Sequence, residues 1–195
     1  MGVFVLSSAL NYLDRQILAA LAPLVRAEFH LTNADYGRLL AVFSITYAVS
    51  SPLAGLLIDR FGLNRSVSAG VGLWSLAGIA TGLSRSFTGL LGCRAMLGAA
   101  EAAGVPCVAK ALHKYLPARE RALGNALSQI GLSVGSILAP LLGTFLALRY
   151  GWRSAFIVTG LLGFAWIPLW LSVSRKAPES EPAAASIERT ELGAL

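Results

Sequence analysis

NYLDRQ, residues 11–16, interrupts an apolar run, MGVFVLSSALNYLDRQILAALAPLV, that spans residues 1–25. A run of this length and character reads as a bilayer-spanning helix, which needs about 20 mostly apolar residues. Asp14 and Arg15 place two full charges inside it. An ionised side chain at that depth costs about 2.5 kcal/mol or more. Such groups persist only where they find partners or water. The reading of this stretch therefore decides between a simple anchor and a bundle built around a polar interior.

The remainder of the chain repeats the pattern. Of 195 residues, 55% are hydrophobic and 13% charged, against roughly 25% charged in soluble domains. Mean hydropathy is +0.66. Six apolar runs are long enough to span, over about 2–26, 36–58, 66–84, 87–109, 121–148 and 154–173. The links 59–65, 85–86, 110–120 and 149–153 are short, and the polar tail 176–195 is rich in Pro, Ala and Glu. The fold class expected is an all-α membrane protein. Residues 1–175 form one six-helix unit and 176–195 a polar cytoplasmic tail. The first run lacks a basic leader region and continues past signal-peptide length, so no signal peptide is expected.

The net charge of +6 is scattered between apolar runs. No basic cluster interleaved with aromatics appears, which argues against nucleic acid. With the N-terminus inside, the cytoplasmic side holds Arg60, Arg65, Lys110, Lys114, Arg119, Arg121, Arg175, Lys176 and Arg189. The other side holds Arg26, Arg38, Arg85, Arg149 and Arg153. Nine against five places both termini in the cytoplasm of a multi-pass protein of a bacterial inner membrane. Cys93 and Cys107 share one apolar segment and read as packing residues. His30 and His113 fall in loops on opposite faces and cannot share a metal, so neither a metal nor another cofactor is expected.

Strong charges at membrane depth occur in the first and fourth runs, Asp14 and Arg15, then Arg94 and Glu101. The second and fifth runs each carry an internal proline, Pro52 and Pro140. Like features in like places divide the six helices into an inverted 3+3 repeat, a device of transporters. Arg94 and Glu101 are seven residues apart, two turns on one face and about 10 Å along the axis. Asn11 and Arg15 also share a face. The first and fourth helices can thus present a polar wall to a common cavity. Stripes of Ser44, Tyr47 and Ser51, and of Asn125, Gln129, Ser133 and Ser136, can line it from the second and fifth helices. Two ion pairs that merely pin helices together are the structural alternative. Desolvation offsets most of the attraction of a buried pair, so apolar contacts would serve that end better.

Three further motifs stand out in the sequence. GLLIDRFG, residues 55–62, with Asn64 and Arg65, reads as a gate latch at a helix end, built on Gly55, Asp59, Arg60, Gly62 and Arg65. Asp59 is expected to accept hydrogen bonds at a neighbouring helix N-terminus. Gly131, Gly135, Ala139 and Gly143 recur every four residues and form a close-packing ridge. The ridge contains GLSVG, residues 131–135, a formal match to a hydrolase nucleophile elbow. That motif needs a strand-to-helix turn, and here it lies mid-helix without a base, so an enzyme is rejected.

NYLDR, Tyr47 followed by DRFG, R-x6-EA from Arg94, the ERA loop at 120–122 and GWR at 151–153 together resemble the major facilitator superfamily. More narrowly they are similar to its anion:cation symporter branch, which includes hexuronate and galactonate carriers driven by the proton gradient. The resemblance covers residues 1 to about 175. It implies that Arg15 contacts a substrate carboxylate and that Asp14 and Glu101 couple protons. It also implies that Arg94 neutralises Glu101 and attracts the anion, and that Tyr47 lines the cavity; Asn11 and Gln129 join these as candidate solute-binding residues from the polar faces already described. Ser51 and Pro52 depart from the branch, which often has Gln at the first position and Pro one residue later, so the solute is not named by it. The superfamily has twelve helices in two halves, and this chain corresponds to the N-terminal half. The glycine ridge would then pack against the second half. The expected function is proton symport of a small organic anion, a sugar acid or other carboxylate, with a second six-helix half or a homodimer partner. A drug or sugar carrier of the same superfamily, and a non-transporting half that acts as a membrane interaction partner, are the competing readings.

Overall fold

A computed structural model describes residues 2–176. They form eight helical segments: α1 (Gly2–Ala20), α2 (Ala22–Glu28), α3 (Asn33–Phe61), α4 (Leu63–Leu83), α5 (Phe87–Glu101), α6 (Gly104–Tyr115), α7 (Ala118–Tyr150) and α8 (Trp152–Ser174). No strand occurs among the described residues. Five helices are long and apolar enough to cross a membrane, counting α5 and α6 as one run from Phe87 to Tyr115. The α1 segment is not among them, because Asn11, Asp14, Arg15 and Gln16 lower its hydropathy. The tail beyond Lys176 lies outside the described residues.

The helices are longer than the apolar runs. Expected links shrink to single residues where glycine takes a positive φ, Gly62 at 82° and Gly151 at 84°, a conformation that side chains with a Cβ rarely adopt. The expected loop at 110–120 is helical as far as Tyr115, so His113 sits in the last turn of α6 and not in a loop. Two runs read as continuous are broken. Pro23 lies in the first turn of α2, and the chain leaves helical geometry at Leu21. Pro106 has no N–H for the carbonyl of Ala102, and α5 ends at Glu101. Pro52, Pro140 and Pro168 remain inside α3, α7 and α8, as bilayer helices allow.

Three helix pairs pack most extensively: α1 with α7, α4 with α8, and α3 with α5. Small residues set their spacing. A Cβ added at Gly135 would strike the carbonyl of Ala9 on α1, and one at Gly98 would strike that of Phe43 on α3. The ridge Gly131, Gly135, Ala139 and Gly143 is buried. Gly131 and Gly135 abut the α1 backbone, and Gly143 meets Ile17 and Leu21. This corrects the expectation that the ridge faces a second half: it is the seam between α1 and α7.

The helix ends gather on two faces. On one, Tyr115 donates to Asn64 at 3.2 Å and Lys110 pairs with Asp59. On the other, Glu28 accepts from Trp152 Nε1 and from Arg153, each at 2.5 Å, while Arg153 also donates to the Ser84 carbonyl at 3.0 Å. These donors, Trp152 first and Arg153 second, hold the Glu28 carboxyl below its usual range. The clamp ties the ends of α2 and α4 to the start of α8.

Candidate functional site

Asp14 and Arg15 are neighbours in sequence, so on α1 they point about 100° apart. Arg15 turns toward α3 and α5. Its Nε and Nη2 both donate to Glu101 Oε2, at 3.0 and 2.7 Å. Three rings surround its guanidinium, with centroids 5.0 Å away at Phe43, 5.1 Å at Tyr47 and 5.5 Å at Tyr12. Such cation–π contacts gain strength where water is excluded. The Glu101 side chain is fully buried, whereas that of Arg15 keeps 29% exposure. The arginine is thus the open end of the pair.

Asp14 turns the other way. Its electrostatic neighbours are Thr159 on α8, Glu101 and Arg94, yet neither carboxylate oxygen has a hydrogen-bond partner. Asp14 and Arg94 are each 4% exposed. The Arg94 guanidinium lies 6.0 Å from the Phe156 ring centroid and makes no direct ion pair among the described residues. The carboxylate paired directly with an arginine is therefore Glu101, and its partner is Arg15, not Arg94. Glu101 Oε1 and Asn11 Nδ2 are also buried without a hydrogen bond.

Of these groups Glu101, Asn11 and Tyr47 border a cavity of about 490 Å³, within the 300–1,000 Å³ typical of small-molecule sites. Asn11 and Ser7 of α1, Tyr47 of α3, Glu101 of α5, and Asn125 and Gln129 of α7 line it. Of the residues expected to bind solute, Asn11, Tyr47 and Gln129 are on its wall. Arg15, Arg94 and Asp14 are not on the wall; Arg15 is joined to it through Glu101. Ser44, Ser133 and Ser136 do not reach the cavity, each hydroxyl being turned back to a carbonyl one helical turn earlier; Ser51 is also off the wall. Missed by the sequence reading were Ser7, Ser128 and the indoles of Trp166 and Trp170. Their apolar surroundings gave no polar periodicity to find.

Among the residues read as a latch, Asp59 makes a contact other than the expected one. Asp59 pairs with Lys110 of α6, and Lys110 also donates to the Gly55 carbonyl at 3.3 Å. The lysine supplies the positive charge expected of a helix N-terminus. Gly62 forms the sharp turn after it, and Arg60 lies 5.8 Å from the Phe61 ring. Among the described residues no group of three metal-ligating side chains exists, and both cysteines are free.

A helical membrane bundle with paired and unpaired charges beside an internal cavity is the architecture of a membrane transporter. Residues 4–193 match the family model of the Major Facilitator Superfamily, and the chain belongs to that superfamily, a family of transporters and not of enzymes. Similar proteins include a galacturonate transporter of Dickeya chrysanthemi, 33% identical over 87% of this chain and 49% of that protein. A hexuronate transporter of Escherichia coli K12 is 35% identical over 85% of this chain and 38% of that protein. The chain spans half or less of the length of these curated relatives. The fold also matches the crystal structure of a bacterial homolog to the human lysosomal transporter Spinster in an inward-facing, unoccupied conformation, with a TM-score of 0.81 and 24% identity. That match covers 91% of this chain and 43% of that one.

Proposed function

We propose that the chain is the N-terminal half of a secondary transporter that moves a small organic anion, a hexuronate-like sugar acid or related carboxylate, together with protons. The observation that carries the reading is the Arg15–Glu101 pair, whose carboxylate lines the cavity. With Asp14, Arg15, Arg94 and Glu101 all ionised, the site is neutral. An anion entering alone leaves one uncompensated negative charge where the dielectric is low. Protonating Glu101 first frees the Arg15 guanidinium, and the anion then restores neutrality. Loaded and empty forms are both tolerable, and half-loaded forms are not, so the two movements are linked. Asn11, Tyr47 and Gln129 then orient the solute, Asp14 is a second proton site, and Arg94 supplies the attracting field. The transporter names of the relatives support the solute class.

The inverted 3+3 repeat has support in the packing. If α1/α2, α3 and α4 exchange with α5/α6, α7 and α8, the pair α1·α7 becomes α5·α3, and α4·α8 maps onto itself. These are the three most extensive pairs. On this reading α1 with α2 supplies a sixth span, residues 1–175 form the six-helix unit, and 176–195 begin a central loop. The face with Arg60, Arg65 and Lys110 is cytoplasmic, as the Lys and Arg bias requires. Exposed apolar residues such as Ile45 and Val49 on α3 and Ile137 and Leu141 on α7 offer a surface for a second six-helix half.

The test is uptake of labelled galacturonate into proteoliposomes holding this chain, alone and with a second half. Accumulation driven by an inward proton gradient, collapsing with a protonophore and lost in Glu101→Gln, is the expected result. Gradient-driven uptake that survives Glu101→Gln would remove Glu101 from coupling.

A further inference from the structure

A second cavity of about 580 Å³ opens between α3, α4 and the end of α5. Its wall is almost wholly apolar, with Leu53, Leu57 and Phe61 on one side and Leu73, Ala69 and Ala99 on the other. Leu53, Leu57, Phe61 and Leu73 are each at least half exposed. The groove runs along α3 from Ser50 to Phe61. Eleven residues at 1.5 Å each give about 16 Å, the depth of one leaflet of a hydrocarbon core about 30 Å thick.

The groove is charged at one end only. Arg65 borders it there, is exposed, and has no ion pair or hydrogen bond among the described residues. Arg60 is at the same end, its guanidinium 5.8 Å from the ring centroid of Phe61, which lines the groove. Asp59, next to Arg60 in sequence, is engaged by Lys110, and none of the described residues lining the groove is acidic. This end therefore presents two uncompensated cations at the level where lipid headgroups lie, above a slot as deep as one acyl chain.

We propose that this groove is a binding site for an anionic phospholipid of the leaflet on the Arg60–Arg65 face, with one acyl chain along α3 and the phosphate against Arg65. The inference rests on the chain's place in a membrane and not on the symport reading. The lipid would abut Ala99, Ala100 and Ala103 at the α5–α6 break. Ser66, Gly70 and Ala103 border both this groove and the solute cavity.

The purified chain in nanodiscs of mixed phosphatidylglycerol and phosphatidylcholine, analysed by native mass spectrometry after release into detergent, tests this. Wild type should retain one phosphatidylglycerol in preference to phosphatidylcholine. Arg65→Gln should lower that preference about fivefold, the effect of one basic residue at an anionic surface. Arg119→Gln, on the same face with its side chain 85% exposed, should leave it unchanged. Ala69→Phe, which fills the slot, should abolish retention of either lipid. Equal losses in Arg65→Gln and Arg119→Gln would mean diffuse surface attraction and would overturn the site. So would a lipid-free dimer mass, which would mean that a second chain covers the groove. Uptake plays no part in this measurement, so its failure leaves the symport proposal standing.

Discussion

Replacing Gly135 with alanine adds one methyl group at the tightest point of the α1–α7 seam. The added Cβ would strike the Ala9 carbonyl, which is backbone and cannot swing away as a side chain can. Restoring ordinary van der Waals separation means opening the seam by about 1 Å. Overpacking of this kind costs about 1–3 kcal/mol. For a chain of this size that corresponds to a fall in melting temperature of about 2–12 °C, at roughly 2–4 °C per kcal/mol. The displaced helix carries Asn11 and Arg15, so the cavity edge should shift with it. Gly92→Ala is the matched control, because its Cβ meets nothing within 4 Å and alanine favours helix by up to about 1 kcal/mol. Thermal unfolding in one detergent at one scan rate should show Gly135→Ala well below wild type and Gly92→Ala at or above it. Equal melting temperatures for the two variants would refute the reading of the ridge as the α1–α7 seam.

Three other outcomes follow from the same geometry. Glu28→Gln should be less stable than wild type at neutral pH. The wild-type advantage is present above the ordinary carboxyl value of 4.5 and vanishes as pH falls through the lowered folded value, so the two melting curves should converge on acidification. Arg15→Met should destabilise by about 3–5 kcal/mol by leaving Glu101 buried and unpaired, while Arg15→Met with Glu101→Leu should regain most of that loss in a denaturant titration. Lys110→Met should leave Asp59 without its partner and cost about 1 kcal/mol or less, as for a mostly exposed pair, and adding Asp59→Asn should cost nothing further; fully additive losses in thermal unfolding would mean that the two residues do not act as a pair.

Much of the bundle was legible because bilayer burial leaves a one-dimensional record. Apolar runs located α3, α4, α7 and α8, and Gly62 and Gly151 marked turns that only their φ values allow. The helix breaks were less visible. Five prolines lie at or near helix interiors, and only Pro23 and Pro106 accompany a break. Nothing local in the sequence separates these from Pro52 or Pro140. Spacing showed that Asn11 shares a face with Arg15, but not that the face meets Glu101, since periodicity gives a direction and not a neighbour. The same gap misassigned the partners of the glycine ridge and of Asp59. Serines at regular spacing misled further, because a hydroxyl can satisfy itself on its own helix, as Ser44, Ser133 and Ser136 do.

Geometry shows why a buried helix keeps Asp14 and Arg15. A structural ion pair should be satisfied on all sides, because a half-satisfied buried network is worse than an apolar core. This site is half-satisfied. One oxygen of Glu101 takes both bonds from Arg15, while its other oxygen and both oxygens of Asp14 have no hydrogen-bond partner within 3.5 Å among the described residues. Helix association does not need these charges, since the α1–α7 and α4–α8 seams close through glycine against backbone. A group left unpaired in one state is a group available in another. Arg15, partly exposed and ringed by Tyr12, Phe43 and Tyr47, is held in place whether or not Glu101 remains its partner, and that is the property an exchange of partners requires.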